Sequence, residues 1–240
     1  MTETLTPENR ERLKTVSAAT LTTALFKRGL SNTFIQNVQR LSPTGGNMVG
    51  EAYTLRYIPA REDVDLLEGF TDPEHPQRKA VENCPAGHVL VIDSRKDARA
   101  ASAGGILVTR LMKRGVAGIV TDGGLRDAPE IAGLEIPAYH QRPSAPTNLT
   151  LHHACDIDVP IGCGDVPVYP RDIVVGDPEG VVVIPAHMAN EVAEEAFEMT
   201  AFEDFVTEEV RKGATTVGLY PATKDETRVK YAAWRKANAR

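Results

Sequence analysis

Arg126 and Asp127 stand side by side at the end of Thr121-Asp122-Gly123-Gly124-Leu125-Arg126-Asp127. A guanidinium presents a rigid fork of donors that can grip a carboxylate in bidentate fashion. An aspartate offers anionic oxygen to a hard cation such as Mg²⁺, which commonly uses one or two carboxylates and keeps several waters. On one turn, the pair could hold a small acid and a divalent cation together. Upstream, Gly104-Gly105 precedes an apolar segment with helical spacing. Open backbone N–H groups and the positive dipole end make such a helix start an anion site. Glycine also lets a ligand approach the backbone closely. Each signal has a structural reading as well. Gly-Gly serves tight turns, an exposed Arg-Asp pair is worth little, and Asp122-Gly123 is a turn dipeptide in which Asp122 either caps the turn or joins the site. The chemical reading rests on their coincidence.

The elements that must position these residues are legible around them. Val89-Leu90-Val91-Ile92-Asp93 is a short apolar run, read as a buried strand, and a polar loop follows from Ser94 to Ser102. A helix is predicted from Gly104-Gly105 through Arg114, with Ile106, Leu107, Val108 and Leu111 facing inward and Gly115 as its C-cap. Residues 116–121 form the next strand. Strand, helix, strand in this order is a βαβ unit with a parallel pair and a right-handed crossover. The helix N-terminus and the 122–127 turn then both reach the carboxyl edge of the sheet, where ligands of open α/β sheets bind.

Elsewhere the pattern predicts a helix over 7–28, capped by Thr6 with Pro7 in its first turn, and turn chemistry over 43–46. It continues with a strand from Met48 to Ile58, a helix near 76–83 and a hairpin over 173–184. A long acidic helix over about 186–212 and a last helix over about 224–238 complete it. The fold class is α/β. One domain over 1–240 is expected, with a core at about 15–200 and a C-terminal helical extension at about 201–240. Tyr231 and Trp234 on the last helix are expected to pack against the body or a neighbouring subunit.

Other chemistry is less well supported. Neither a G-x-G-x-x-G fingerprint nor a Walker A motif occurs, and a methyltransferase is disfavoured for want of a glycine-rich cofactor loop after the first strand. His152-His153 in a strand would point to opposite faces and cannot easily share one ion. The three cysteines, Cys84, Cys155 and Cys163, lack CxxC spacing, and Cys163 is read as a buried thiol. The net charge of −6 disfavours nucleic acid as a partner. No apolar run approaches the roughly 20 residues of a membrane span. Met1-Thr2-Glu3-Thr4 lacks a secretory pattern, so a cytoplasmic location is expected.

The run from Gly104-Gly105-Ile106-Leu107 through Arg114-Gly115-Val116-Ala117-Gly118-Ile119-Val120 to Arg126-Asp127 resembles the signature of the RraA-like family. That family includes class II 4-hydroxy-4-methyl-2-oxoglutarate/4-carboxy-4-hydroxy-2-oxoadipate aldolases and regulators of RNase E activity. Val49 to Arg56, Gly87 to Asp93 and Gly176 to Pro185 are similar to further family segments, so the likeness covers most of residues 15–200. The resemblance implies a fold akin to phosphohistidine swivelling domains, assembled as trimers or hexamers with sites between subunits. It implies that Arg126 binds substrate, that Asp127 helps hold Mg²⁺ or Mn²⁺, and that backbone groups of Gly104, Gly105, Ile106 and Leu107 receive the pyruvyl carboxylate. The family often carries an acidic residue where this chain has Gly105, which puts the usual aldolase substrate in question.

The expected reaction is metal-assisted retro-aldol cleavage of a 4-hydroxy-2-oxo acid. The C2 carbonyl is polarised, the C4 hydroxyl loses its proton, and the C3–C4 bond breaks to release pyruvate enolate. Oxaloacetate decarboxylation gives the same enolate and is the expected side activity. A metal-bound water or a carboxylate from a neighbouring subunit could be the base; Glu195 and Glu198 are candidates, against the simpler reading of a solvated helix face. Two alternatives stand. One is a dehydratase, hydrolase or aldolase acting on a sugar-acid-derived 2-oxo or 2,4-dioxo acid. The other is a non-catalytic regulator binding RNase E.

Overall fold

The computed structural model describes residues 5–43 and 45–238. The Met1-Thr2-Glu3-Thr4 reading, Thr44 of the 43–46 turn and the end of the C-terminal extension lie outside the described residues.

The first helical stretch is two helices rather than one. Thr6 Oγ1 accepts from the Asn9 N–H at 3.2 Å and starts α1, Pro7–Leu13. Ser17 Oγ accepts from the Thr20 N–H at 3.1 Å and starts α2, Ala18–Phe26. A second hydroxyl able to satisfy open helix donors makes a restart possible inside a pattern that otherwise looks continuous. Gly29 takes a φ of 82° just beyond α2, as a helix stop does.

Among the described residues the main sheet has eight strands. Met48–Pro59, His88–Asp93, Gly118–Thr121 and Ala138–His140 run parallel and neighbour one another in that order. Gln39–Arg40 closes one edge antiparallel to Ala138–His140. On the other side, the long Met48–Pro59 strand forks. Its first part pairs with Ile173–Gly176, which forms the expected hairpin with Val181–Ile184, and its last part pairs with His152–Ile157. The βαβ unit is present as expected, with Val89 opposite Gly118 and Ile92 opposite Thr121.

Strand alternation divides the core. Leu55, Tyr57, Leu90 and Ile92 meet α3 (Pro76–Asn83), α4 (Gly105–Lys113) and α5 (Ala128–Ala132). Val49, Val175 and Ile184 meet α1, α2 and α6, Ala189–Arg211. Ala52, Val89 and Val91 turn the other way, onto the antiparallel ribbon Ile161–Cys163 and Val166–Val168. The last helix, α7 (Asp225–Ala237), packs Tyr231 and Trp234 against Phe202 and Phe205 of α6. No helix among the described residues is long and apolar enough to cross a membrane.

Candidate functional site

A small three-stranded sheet explains why two distant loops meet. Ala101–Ala103 pairs in parallel with Gly124–Leu125, Ala101 opposite Gly124 and Ala103 opposite Leu125. In a parallel pair, the residues that follow each strand leave side by side. Gly104-Gly105 therefore emerges next to Arg126-Asp127, and the Arg126 N–H donates to the Ala103 carbonyl at 3.1 Å.

Gly104 is extended and precedes α4 without a side-chain cap. A Cβ there would lie 2.7 Å from Arg126 Cγ and 3.0 Å from Asp127 Oδ2, so a side chain would displace both candidate groups. The Gly105 N–H donates to Asp127 Oδ2 at 3.0 Å. That amide is thus engaged by Asp127, a departure from the expectation that it faces substrate. The Ile106 and Leu107 amides have no partner among the described residues and stay available in the first turn. Ile106 corrects a second expectation: its side chain is 83% exposed at the pocket, whereas Val108 and Leu111 are buried. Helical spacing puts Ile106 on the side of α4 away from buried Val108 and Leu111, so it points out of the core although its neighbours in the same turn pack inward.

Asp127 has a φ of 58°, in the left-handed region, directly before α5. Aspartate tolerates that conformation better than most residues, and such outliers concentrate at functional sites. Arg126 Nε and Asp127 Oδ2 lie 3.7 Å apart, with side chains 46% and 40% exposed. Asp127 Oδ1 has no hydrogen-bond partner among the described residues. Glu130 follows one helical turn later, and a Cβ on Gly105 would lie 3.2 Å from its Oε2. The sequence reading missed Glu130. Its signal was the i, i+3 spacing from Asp127, which puts two carboxylates on one side of a helix start.

Arg126 and Asp127 border a pocket of about 210 Å³, whereas Glu130 and Gly105 lie outside its lining. Gly104, Ile106, Leu107, Arg126 and Asp127 form one side of its lining. Phe70, Gln77 and Arg78, with Thr147 and Asn148, complete much of the rest. The volume lies below the usual range for drug-sized ligands and suits a small acid better than a nucleotide.

Asp122 is structural. It is 1% exposed and accepts from the backbone N–H of Ser94 at 2.7 Å, Gly164 at 3.0 Å and Lys96 at 3.1 Å. Burial pushes its carboxyl above the usual range, against the pull of those donors. Beside it, the Ser94, Ser102 and Thr121 hydroxyls bond one another beneath the site.

The other candidate groups are occupied. His152 is buried and stacked on Tyr57, whereas His153 Nδ1 lies 2.7 Å from Asp65. No group of three His, Cys, Asp or Glu residues able to hold a metal occurs among the described residues. Cys163 is buried, which pushes its thiol well above the ordinary value. Glu195 pairs with Lys27 and Arg28, and Glu198 with Arg235. Neither glutamate lines the pocket, so within this chain they act as ion-pair partners.

A family model described as RraA-like, Aldolase/RraA, matches residues 18–183. A Halalkalibacterium halodurans protein, provisionally named 4-hydroxy-4-methyl-2-oxoglutarate aldolase, is 35% identical over 118 residues, or 49% of this chain and 56% of its own. The 4-hydroxy-4-methyl-2-oxoglutarate aldolase of Thermus thermophilus is 30% identical over 108 residues, 45% of this chain and 65% of its own. This chain thus spans about half to two thirds of the length of these two curated relatives. Among solved structures, Streptomyces coelicolor RraAS2, described as an unusual member of the RNase ES inhibitor RraA protein family, aligns with a TM-score of 0.74. It is 30% identical, and the match covers 85% of this chain and 97% of that one.

Proposed function

Because the chain belongs to the RraA-like family, Aldolase/RraA, we propose that it is a divalent-metal-dependent lyase. It cleaves a 4-hydroxy-2-oxo acid to pyruvate and a second carbonyl product, and decarboxylates oxaloacetate as a side reaction. The observation that carries this reading is the convergence of Arg126, Asp127 and the α4 N-terminus on one small pocket.

The donor set fits a hard cation. Asp127 has one oxygen held by the Gly105 amide and the other without a partner among the described residues. Glu130 stands beside the same glycine. One or two carboxylates with the remaining positions filled by water is the ordinary Mg²⁺ pattern, and Mn²⁺ shares its preference for oxygen. When bound, the ion would polarise the C2 carbonyl and stabilise charge on the enolate oxygen. Arg126 would grip the substrate carboxylate and oppose the same developing charge. The Ile106 and Leu107 amides would receive the remaining carboxylate oxygen at the positive end of α4. No lysine lines the pocket among the described residues, so a Schiff-base route lacks its nucleophile there.

Exposed Ile106 at the pocket supports a trimer or hexamer in which a neighbour covers the site and excludes water. Gly105 keeps the sugar-acid-derived oxo acids in play, since it lacks the acidic group that the family often carries there, and Glu130 stands against that position instead.

The test is a lactate-dehydrogenase-coupled screen of 4-hydroxy-2-oxo acids and oxaloacetate with Mg²⁺ and Mn²⁺. Metal-dependent pyruvate release supports the reading; full activity in EDTA overturns the metal mechanism. The likeness to RraAS2 favours a second reading, an RNase E-type regulator. Inhibition of such a nuclease with no metal-dependent turnover on any substrate would establish it instead.

A further inference from the structure

Two donor groups on the pocket wall lie outside the machinery assigned above. Arg78, on α3, lines the same pocket as Arg126. Its guanidinium carbon sits 4.8 Å from the centre of the Phe70 ring, a stack that holds the planar fork in place. Its Nε is buried without a hydrogen-bond partner, and no carboxylate lies within ion-pair distance of it among the described residues. Asn148 lines the pocket too and is only 3% exposed. Its Oδ1 accepts from Thr147 Oγ1 at 3.3 Å, while its Nδ2 is buried and unpartnered.

A buried amide and a half-buried guanidinium with unused donors are unfavourable unless an acceptor arrives. The charge balance points the same way. Arg78 and Arg126 face one lining carboxylate, Asp127, so one cation in the lining is uncompensated. A ligand bringing acceptor oxygens and negative charge would satisfy both conditions.

We propose that Arg78, supported by Asn148, binds a second anionic group at the far end of the substrate. The site thereby selects dianionic 2-oxo acids over monoanionic ones. This rests on the reading in which Arg126 takes the 2-oxo acid end. Arg126 sets the chemistry, and Arg78 sets which chain-end is accepted.

The experiment compares 2-oxoglutarate with 2-oxopentanoate, which has the same five-carbon chain but lacks the distal carboxylate. Binding to the full chain is measured by calorimetry in the presence of Mg²⁺. The wild type is expected to favour 2-oxoglutarate by roughly 10- to 100-fold, the range for a charge-assisted hydrogen-bonded contact. Arg78→Met removes the guanidinium but leaves a side chain of similar length that can still lie on Phe70. It should abolish that preference while leaving 2-oxopentanoate affinity unchanged. Arg78→Lys should retain part of the preference, and Asn148→Ala should reduce it several-fold. Unchanged melting of each variant shows that the fold has survived. A preference that persists in Arg78→Met, or none in a wild type that binds both acids, overturns the proposal. Failure of the wild type to bind either acid, or equal binding by Arg126→Met, overturns the reading of Arg126 itself.

Discussion

The Gly105 N–H and the Asp127 carboxylate are joined by a 3.0 Å hydrogen bond. It ties the first turn of α4 to a left-handed residue that local sterics disfavour. One carboxylate oxygen is thereby fixed and the other left without a partner among the described residues, which is the arrangement the proposed cation role of Asp127 requires.

Replacing Asp127 tests that arrangement. Asp127→Asn tolerates the left-handed backbone and can still accept from Gly105, but it loses the anionic oxygen. Metal-dependent pyruvate release should fall roughly 100-fold or more, by analogy with the loss of a preorganised electrostatic group. Circular dichroism should be unchanged, and a Mn²⁺ titration should show weakened metal affinity. Wild-type turnover and metal affinity in this variant would remove Asp127 from the site.

Gly104→Ala should be inactive for a steric reason. The added Cβ falls 2.7 Å from Arg126 Cγ, closer than real contacts allow, so Arg126 must move. A misplacement of about 1 Å costs around 100-fold in rate. The local overpacking costs about 1–3 kcal/mol of stability. Kinetics together with a urea melt separate the two effects. A variant with normal kcat/KM would mean that Arg126 need not sit where it does.

The parts of this site written in local signals were legible in the sequence. The Val89–Asp93 run, the Gly-Gly start of α4 and the Arg126-Asp127 turn each carry their own periodicity or turn chemistry. The 173–184 hairpin was equally clear, because its two apolar runs flank a Gly-rich turn. What escaped depended on competition or distance. Ser17 outcompetes the 7–28 pattern with its own cap. Ile106 belongs to the apolar run of α4, yet helical spacing turns it away from the side that buries Val108 and Leu111. Arg78 and Asn148 come from segments whose meeting with α4 is a matter of tertiary packing, and no local spacing announces it. Glu130 sat within view at i, i+3 from Asp127, but the five-residue helix that presents it is too short to show a period.

Asp122 offers a stability test that leaves the pocket lining intact. Three backbone N–H groups point at its two oxygens. Asp122→Asn must turn an NH₂ group toward at least one of those donors. That leaves a buried donor without an acceptor, which costs about 1–3 kcal/mol for each group lost. The melting midpoint should fall accordingly. A variant as stable as the wild type would indicate that the Asp122 carboxyl is already protonated and interchangeable with an amide.

Two buried histidines, His140 and His152, and the partly buried His75 should weaken the fold just below neutral pH. Burial lowers the pKa of His152, His140 and His75 below the ordinary 6.5. A group whose folded pKa is depressed contributes stability that is present above the unfolded value. That stability is lost as pH falls through the window from 6.5 toward the folded pKa. Burial acts oppositely on Asp93, Asp122 and Asp172, raising their carboxyls, so protonating them stabilises the fold as pH falls from their raised values toward 3.8. Melting midpoints should therefore decline first as pH drops below about 6.5, before the carboxyls begin to offset the loss. A single histidine contributes at most about 1.4 kcal/mol per pH unit. His152→Phe can keep the stack on Tyr57 while removing the titration, so its melting curve should depend less steeply on pH between 6.5 and 5 than that of the wild type. A slope identical to the wild type would assign the loss between pH 6.5 and 5 to groups other than His152.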